Sequence, residues 1–369
     1  MQSKILFCSS FIDHAQTGAA IFAQLFLSWA EDRGISVDII SSEKSVRAYI
    51  PLVRNNRIYS RIPVLQNYHR SYIYYKTVQN QLAKNEYDFI FFNSVTESLH
   101  TSKLIKDIPV FAFQHDENFM NDYKKNPSLK RKIYRNAMRK HERSASQFLD
   151  KILTNSRFMK SQIETIYEIH PLKVGYTYFR PYDLEHGNDK VLEKTTKTQI
   201  LFVKHDFERG GLQFLAEALR KIPDHQFYVK IIGVSSNAHK AVSTIMAGIQ
   251  HEIISNRSRD EIIGDYNSCE LFCVPSLSEA LGLANMEAMF FEKPVVSFDI
   301  PVMRELNQNQ QIMQLAKVGD SGDLALKIKL CLEGKESVSN QIRNAKSFVE
   351  NQISQDLFYK NLDGFFFNC

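Results

Sequence analysis

Cysteine is scarce and scattered: five occur in 369 residues, at positions 8, 269, 273, 331 and 369. An odd, widely spaced set makes a poor disulfide framework. Cys269 and Cys273 lie close in sequence, but no second His or Cys pair stands beside them to complete a zinc site. They are expected as small core residues in a reducing compartment. Charge of one sign is lacking too, since 46 Lys plus Arg against 41 Asp plus Glu leave a formal +5. So mild an excess tolerates an anionic substrate or surface but does not demand nucleic acid. No stretch approaches the ~20 apolar residues of a spanning helix, and Ile5-Leu6-Phe7-Cys8 is too short a run for a secretory signal. A cytoplasmic protein is expected, free or peripheral on the inner face of the membrane. No short-period repeat or low-complexity tract breaks the chain. No Gly-x-Gly-x-x-Gly follows either candidate first strand, which argues against a dehydrogenase.

What is present is apolar and regularly punctuated. Hydrophobic residues make up 44 %, with 26 Phe and 16 Tyr, enough for two cores of about 150 residues each. Residues 5–9, 37–40, 89–92, 110–113 and 152–154 read as buried strands, without the polar alternation of a half-exposed sheet. Helical patterns at 19–32 and 157–167 lie between them. The rhythm returns with strands at 200–203, 227–232, 271–274 and 295–298 and helices at 212–220, 285–291 and 324–332. Such alternation predicts parallel sheets built from right-handed crossovers. The polar, aperiodic stretch near 182–197 reads as a linker. The expected organisation is an N-terminal Rossmann-like domain over 1–180, a linker over 181–198 and a second Rossmann-like domain over 199–350. A C-terminal helical segment over 351–369 follows. Its Phe365-Phe366-Phe367 run would be an exposed apolar patch if free, so it is expected to pack back on the first domain.

The most informative segment runs from Asp265 to Glu305. Pro275 ends a strand, and Gly282 sits in the loop after it, where a missing Cβ lets backbone N–H groups approach a ligand. The helix opening near Leu283 and Ala284 turns free N–H groups and its positive end toward an anion such as a diphosphate. Glu279 in the loop and Glu287 in the helix can bracket one ligand and accept bonds from vicinal hydroxyls. Pro275, Ser276, Glu279, Gly282, Glu287, Ala288 and Met289, followed by Lys293-Pro294-Val295-Val296, together resemble the signature of a large family. It is that of retaining GT-B glycosyltransferases, family 4. The resemblance implies an α/β GT-B fold, two doubly wound parallel-sheet domains facing across a cleft. It implies transfer of a sugar from a nucleotide-diphosphate sugar to an acceptor hydroxyl, in cell-surface polysaccharide or glycolipid assembly.

By the same resemblance Glu287 would hold the ribose hydroxyls and Glu279 the hydroxyls of the transferred sugar. The backbone of Gly282, Leu283 and Ala284 would hold the diphosphate. The family carries Arg and then Lys-Gly after the first strand of its second domain, to neutralise the leaving diphosphate. Here the text is Phe202-Val203-Lys204-His205, then Arg209-Gly210-Gly211. Arg209 before Gly210 fits the lysine position. Lys204 stands where glycine is usual and His205 where arginine is usual; either one would supply the second donor, or the pair merely ends a strand. In the first half, Gly18 is the remnant of a Gly-Gly loop that would touch the diphosphate, or it is a plain turn with Thr17 capping the helix. His115 ends a strand and would meet the donor sugar near the reacting carbon, with Asp116 and Glu117 near an acceptor hydroxyl, or it is a satisfied structural histidine. Ser156, in Asn155-Ser156-Arg157-Phe158, is a helix cap.

Two basic, aromatic-rich stretches remain, 47–76 and 124–143. They include Arg54, Arg57, Arg61, Arg70, Tyr72, Tyr74 and Tyr75 in the first, and Lys130, Arg131, Lys132, Arg135, Arg139 and Lys140 in the second. One reading is a cationic face for an anionic membrane or a lipid-linked acceptor; the other is a solvated helix surface. No nucleic-acid motif accompanies the charge. The resemblance implies attack from the face the diphosphate leaves, with the phosphate taking the proton. The Asp-x-Asp metal motif is absent and no cofactor is expected. A catalytically silent homologue that binds a partner or membrane is the alternative.

Overall fold

The computed structural model describes residues 3–10, 12, 17–41, 63–116, 128–181, 197–307, 311–334 and 336–367. The chain forms two compact units. One comprises Met1–Tyr178 with Phe358–Cys369, the other Phe179–Leu357.

The strands of the first unit are β1 (Lys4–Ser9), β2 (Ser36–Ser41), β3 (Phe89–Phe92), β4 (Val110–Gln114), β5 (Lys151–Thr154) and β6 (Val174–Tyr176). They form one sheet in the order β2-β1-β3-β4-β5-β6. Every neighbour is parallel, with Ile5 opposite both Val37 and Phe89. The helices are α1 (Gly18–Asp32), α2 (Pro63–Leu82), α3 (Val95–Leu104), α4 (Leu129–Phe148), α5 (Arg157–Tyr167) and, from the far end of the chain, α13 (Gln355–Phe367).

Residue parity along the strands splits this core in two. Leu6, Cys8, Ile90, Phe92, Ala112 and Ile152 share a cluster with Tyr74 and Val78 of α2, Leu99 of α3, Ala145 of α4 and Ile163 of α5. Phe7 and Phe91 point to the other face, where rings dominate. Phe26 lies 4.6 Å from Phe7 and 4.9 Å from Phe91. Phe366 lies 5.1 Å from Phe91 and 5.2 Å from Trp29. A charged pin closes the layer, with Trp29 Nε1 donating to Asp363 Oδ1 at 2.8 Å and Arg33 pairing with the same carboxylate. Burying a group of aromatic side chains of this size is the largest favourable contribution such a helix can make.

The second unit carries β7 (Thr198–Val203), β8 (Phe227–Ile232), β9 (Gln250–Ile254), β10 (Leu271–Cys273), β11 (Val295–Phe298) and β12 (Gln314–Ala316). Their order is β12-β11-β10-β7-β8-β9, again parallel throughout. The helices are α6 (Leu212–Arg220), α7 (His239–Ile245), α8 (Arg259–Ser268), α9 (Leu283–Phe290), α10 (Pro301–Asn307), α11 (Ser321–Leu332) and α12 (Glu336–Gln352). Starts are well capped. Ser258 and Glu261 form a reciprocal capping box on α8, and Asp320 accepts from Gly322 and Asp323 on α11. The strand order reverses between β7 and β10, so the loops leaving these two neighbours diverge and open a crevice at their carboxyl ends. In the first unit β1 and β3 are the corresponding pair.

Four of the five cysteines, Cys8, Cys269, Cys273 and Cys331, are buried and unpaired. Cys369 lies outside the described residues, as do Glu117, Arg54, Arg57, Arg61 and the linker stretch 182–196. Among the described residues, no helix is long and apolar enough to cross a membrane.

Candidate active site

The crevice of the second unit gathers most of the charged residues picked out from the sequence. Val203 ends β7, and Lys204 follows it directly. Its ammonium pairs with Glu279 Oε1, in the loop after β10. The same Oε1 accepts from Ser276 Oγ at 2.7 Å. Arg209, from the loop after β7, places Nη2 3.7 Å from Glu279 Oε2 and donates from Nε to the Ser278 carbonyl at 2.9 Å. The two loops are tied by Leu277 N donating to Arg209 O at 2.8 Å. Two cations thus converge on one buried carboxylate. The local charge is positive, and it stands directly before a helix.

That helix is α9, and Gly282 is its N-cap with φ 83. A side chain there would be strained in the left-handed region and would collide with the Met303 methyl. Leu283 and Ala284 are the first helical residues, whose N–H groups have no acceptor within the helix. Glu287 follows one turn in and is buried. Its Oε1 lies 3.2 Å from Arg259 Nη1 and its Oε2 accepts from Tyr266 OH at 2.7 Å. Burial first, then the charge of Glu287, pushes the Tyr266 hydroxyl well above its ordinary pKa, so it remains a donor. Gly211, beside Gly210, also has a positive φ of 74. Its Cα faces the Pro275 carbonyl so closely that a Cβ would strike it.

His205 is not drawn into this cluster. Its Nδ1 lies 2.9 Å from the Gly233 carbonyl at the end of β8. A carbonyl only accepts, so Nδ1 carries the proton. Of the two residues the sequence left open for the second donor, Lys204 is the one that reaches Glu279.

In the first unit the crevice between β1 and β3 is lined by polar side chains. Thr17 caps α1 by accepting from Ala20 N, and Gly18 is the first residue of that helix. His115 follows β4, with Nε2 2.8 Å from Asn93 Oδ1. Asn93 Nδ2 donates to Ser9 Oγ and to the Ala19 carbonyl. That leaves Oδ1 to accept, so the histidine proton is on Nε2. Asn155 holds the His115 carbonyl at 2.9 Å. Burial lowers the His115 pKa to about 4, against weaker opposing effects of Asp116 and Asn93, so the ring is neutral near pH 7. Ser156 caps α5 through Met159 N.

The next serine along starts a second network. Ser10 Oγ bonds Glu97 Oε1 in the first turn of α3 and lies 2.9 Å from Tyr74 OH, with Arg70 Nη1 3.6 Å from the same carboxylate oxygen. Burial raises the Glu97 pKa, opposed by Ser10 and Arg70. Sequence reasoning missed Asn93, Glu97, Arg259 and Tyr266 as site residues. Asn93 directly follows a buried strand, a position that could have marked it. Arg259 and Tyr266 reach Glu287 from a neighbouring helix, and no linear spacing announces that.

Two family models and several known proteins are similar to this chain. Residues 186–348 match the family model "Glycosyl transferases group 1", and residues 17–178 match "Glycosyltransferase Family 4". An uncharacterized glycosyltransferase of Methanocaldococcus jannaschii is 26 % identical over 151 residues, 40 % of this chain and 42 % of that protein. A Campylobacter jejuni enzyme is 24 % identical over 223 residues, 57 % of this chain and 58 % of its own length. It is the N,N'-diacetylbacillosaminyl-diphospho-undecaprenol alpha-1,3-N-acetylgalactosaminyltransferase. The chain therefore spans less than two thirds of these curated relatives. Among solved structures, the Anabaena protein HepE in complex with UDP and glucose superposes with a TM-score of 0.66 at 16 % identity, covering 98 % of each chain.

Proposed function

Because the chain belongs to the glycosyl transferases that these two models describe, we propose that it moves a sugar from a nucleotide-diphosphate donor to an acceptor hydroxyl. The observation that carries the reading is the convergence of Lys204 and Arg209 on Glu279 in front of the α9 N-terminus, with Glu287 one turn inside. A diphosphate is the ligand such a site suits. Cations and free helix amides meet its charge, and charge-assisted bonds are about twice as strong as neutral ones. Gly282, Leu283 and Ala284 would supply the amides, Arg209 and Lys204 the cations. Glu279 would take hydroxyls of the sugar and Glu287 those of the ribose. As charge develops on the departing phosphate, the same cations stabilise it without rearranging.

In this reading the first unit takes the acceptor, His115 would offer a neutral side chain to the donor sugar, and Gly18 stands at the start of α1. The anomeric configuration is retained in this proposal, and the leaving phosphate takes the acceptor proton. Oε1 of Glu279 is already engaged by Lys204 and Ser276, which leaves Oε2 to accept a hydroxyl and suits a binding carboxylate better than a base. No metal or organic cofactor enters the scheme. The acceptor class we favour is a saccharide or lipid-linked saccharide of the cell surface, on the inner face of the membrane. The Campylobacter relative, whose name includes a diphospho-undecaprenol acceptor, supports that class.

The test is nucleotide binding. UDP, GDP and ADP, each at 100 times its dissociation constant, should stabilise the protein by ~2.7 kcal/mol where it binds. One nucleotide is expected to raise the melting temperature of wild type and not of Glu287→Ala. If none shifts wild type, the transferase reading yields to a silent homologue.

A further inference from the structure

The loop after β7 contains two consecutive glycines, and they are there for different reasons. Gly211 needs its positive φ. Gly210 does not, because its φ is not among the positive values of the described residues. What Gly210 lacks is room. A Cβ on it would lie 2.8 Å from Lys204 Cγ, 3.2 Å from Lys204 Cβ and 2.8 Å from Phe202 Cζ. Phe202 is fully buried and cannot give way. The stem of Lys204 therefore runs through the volume that a side chain at 210 would occupy, and it ends on Glu279.

We propose that Lys204 and Gly210 act as one device. Gly210 is the opening through which a strand-end lysine carries its ammonium to the donor site, where it holds the second phosphate and positions Glu279. This rests on the nucleotide-diphosphate reading of the site. A lysine ammonium has three donors. It can keep Glu279 through one and bond a phosphate oxygen through another. The side chains of Lys204 and Glu279 are only 19 % and 8 % exposed, so water competes little and the pair holds its geometry. Arg209, further along the same loop, approaches the other oxygen of Glu279. The second cation thus comes from the end of a strand, a rigid support, and the loop contributes a vacancy. Gly210 touches no ligand in this scheme; it is a positioning residue acting through Lys204.

The test compares the affinity of a nucleoside diphosphate with that of its monophosphate by calorimetry, using UDP/UMP, GDP/GMP and ADP/AMP. Lys204→Met keeps the stem and removes the charge. It should cost about tenfold to a hundredfold in diphosphate affinity, the scale of one lost charged hydrogen bond. Monophosphate affinity should change less than about threefold, and Lys204→Arg should restore part of the difference. Gly210→Ala should lower diphosphate affinity in the same sense. Its thermal destabilisation should be larger in the wild-type background than in Lys204→Ala, because the Phe202 clash is common to both and cancels in the cycle. If Gly210→Ala fails to fold, folding regained in Lys204→Ala/Gly210→Ala supports the coupling, and folding not regained overturns it. A diphosphate-to-monophosphate ratio unchanged by Lys204→Met overturns the phosphate role. A Gly210→Ala effect equal in both backgrounds means the glycine serves Phe202 alone. A wild type that binds no nucleoside diphosphate removes the donor reading itself, and the inference with it.

Discussion

At the scale of single residues, the fate of each charged group depends on what pairs with it once water is removed. His115 illustrates the neutral solution: burial lowers its pKa to about 4, against about 6.5 for a free histidine. The sign follows from proton counting. Between pH 6.5 and 4 the unfolded chain binds a proton at this site and the folded chain does not. The stability tied to the neutral ring is therefore complete above about 6.5 and is lost as the pH falls toward 4. The loss approaches about 2.5 kcal/mol by pH 4.5, at ~1.4 kcal/mol per pH unit. His115→Gln removes that titration while leaving Glu97 and the other carboxyls in place. The stability gap between wild type and variant, followed by denaturant unfolding from pH 7.5 to 4.5, should narrow by about that amount. A gap that stays constant would show the ring titrates alike in both states.

At the scale of elements, α4 differs from its neighbours. Its Lys130, Arg131, Lys132, Arg135, Arg139, Lys140 and Arg143 are accompanied by one carboxylate, Glu142, which is buried and accepts from Tyr167 OH at 2.6 Å. Leu129 and Ile133, one turn apart at its start, are 74 % and 62 % exposed. A basic helix that also leaves apolar side chains in water matches the demands of an anionic bilayer surface, at about 1 kcal/mol per basic residue. Such a surface is part of the proposed setting of the acceptor. Wild type is expected to co-sediment with phosphatidylglycerol vesicles at low salt and not with pure phosphatidylcholine. Lys130→Glu/Lys132→Glu should weaken that binding at least tenfold. Failure of wild type to bind the anionic vesicles would leave α4 as a solvated helix.

At the scale of the whole molecule, the chain crosses from its second unit back into its first. The ring layer over Phe7 and Phe91 is completed by Phe358, Phe365 and Phe366 of α13, which meet Phe22, Phe111 and Phe91 respectively, 336, 254 and 275 residues earlier in the sequence. Phe366→Ala should cost about 3–5 kcal/mol in the first unit, as large-to-small changes in such cores do. A chain ending before Phe358 should lose the near-ultraviolet signature of Trp29 packing. Its nucleotide-dependent stabilisation, which belongs to the second unit, should persist. If both are lost together, the two units do not fold independently. The sequence by itself determined the central strands, because β1, β3, β4, β7, β10 and β11 are covered on both faces and so read as near-continuous apolar runs. It determined the loop-helix segment around Glu279, Gly282 and Glu287 as well, where every residue is local in sequence. The strands it did not announce, β6, β9 and β12, are sheet edges. Gln250, His251 and Glu252 of β9 show why, since a half-exposed edge needs no apolar run. Tertiary structure alone decided which basic residue reaches Glu279, where Arg259 and Tyr266 meet Glu287, and how Asn93 fixes the proton of His115. Lys204 and His115 meet their partners across the ends of neighbouring parallel strands, and Arg259 and Tyr266 meet Glu287 from one helix to the next, so only the packed sheet and its helices bring these groups together.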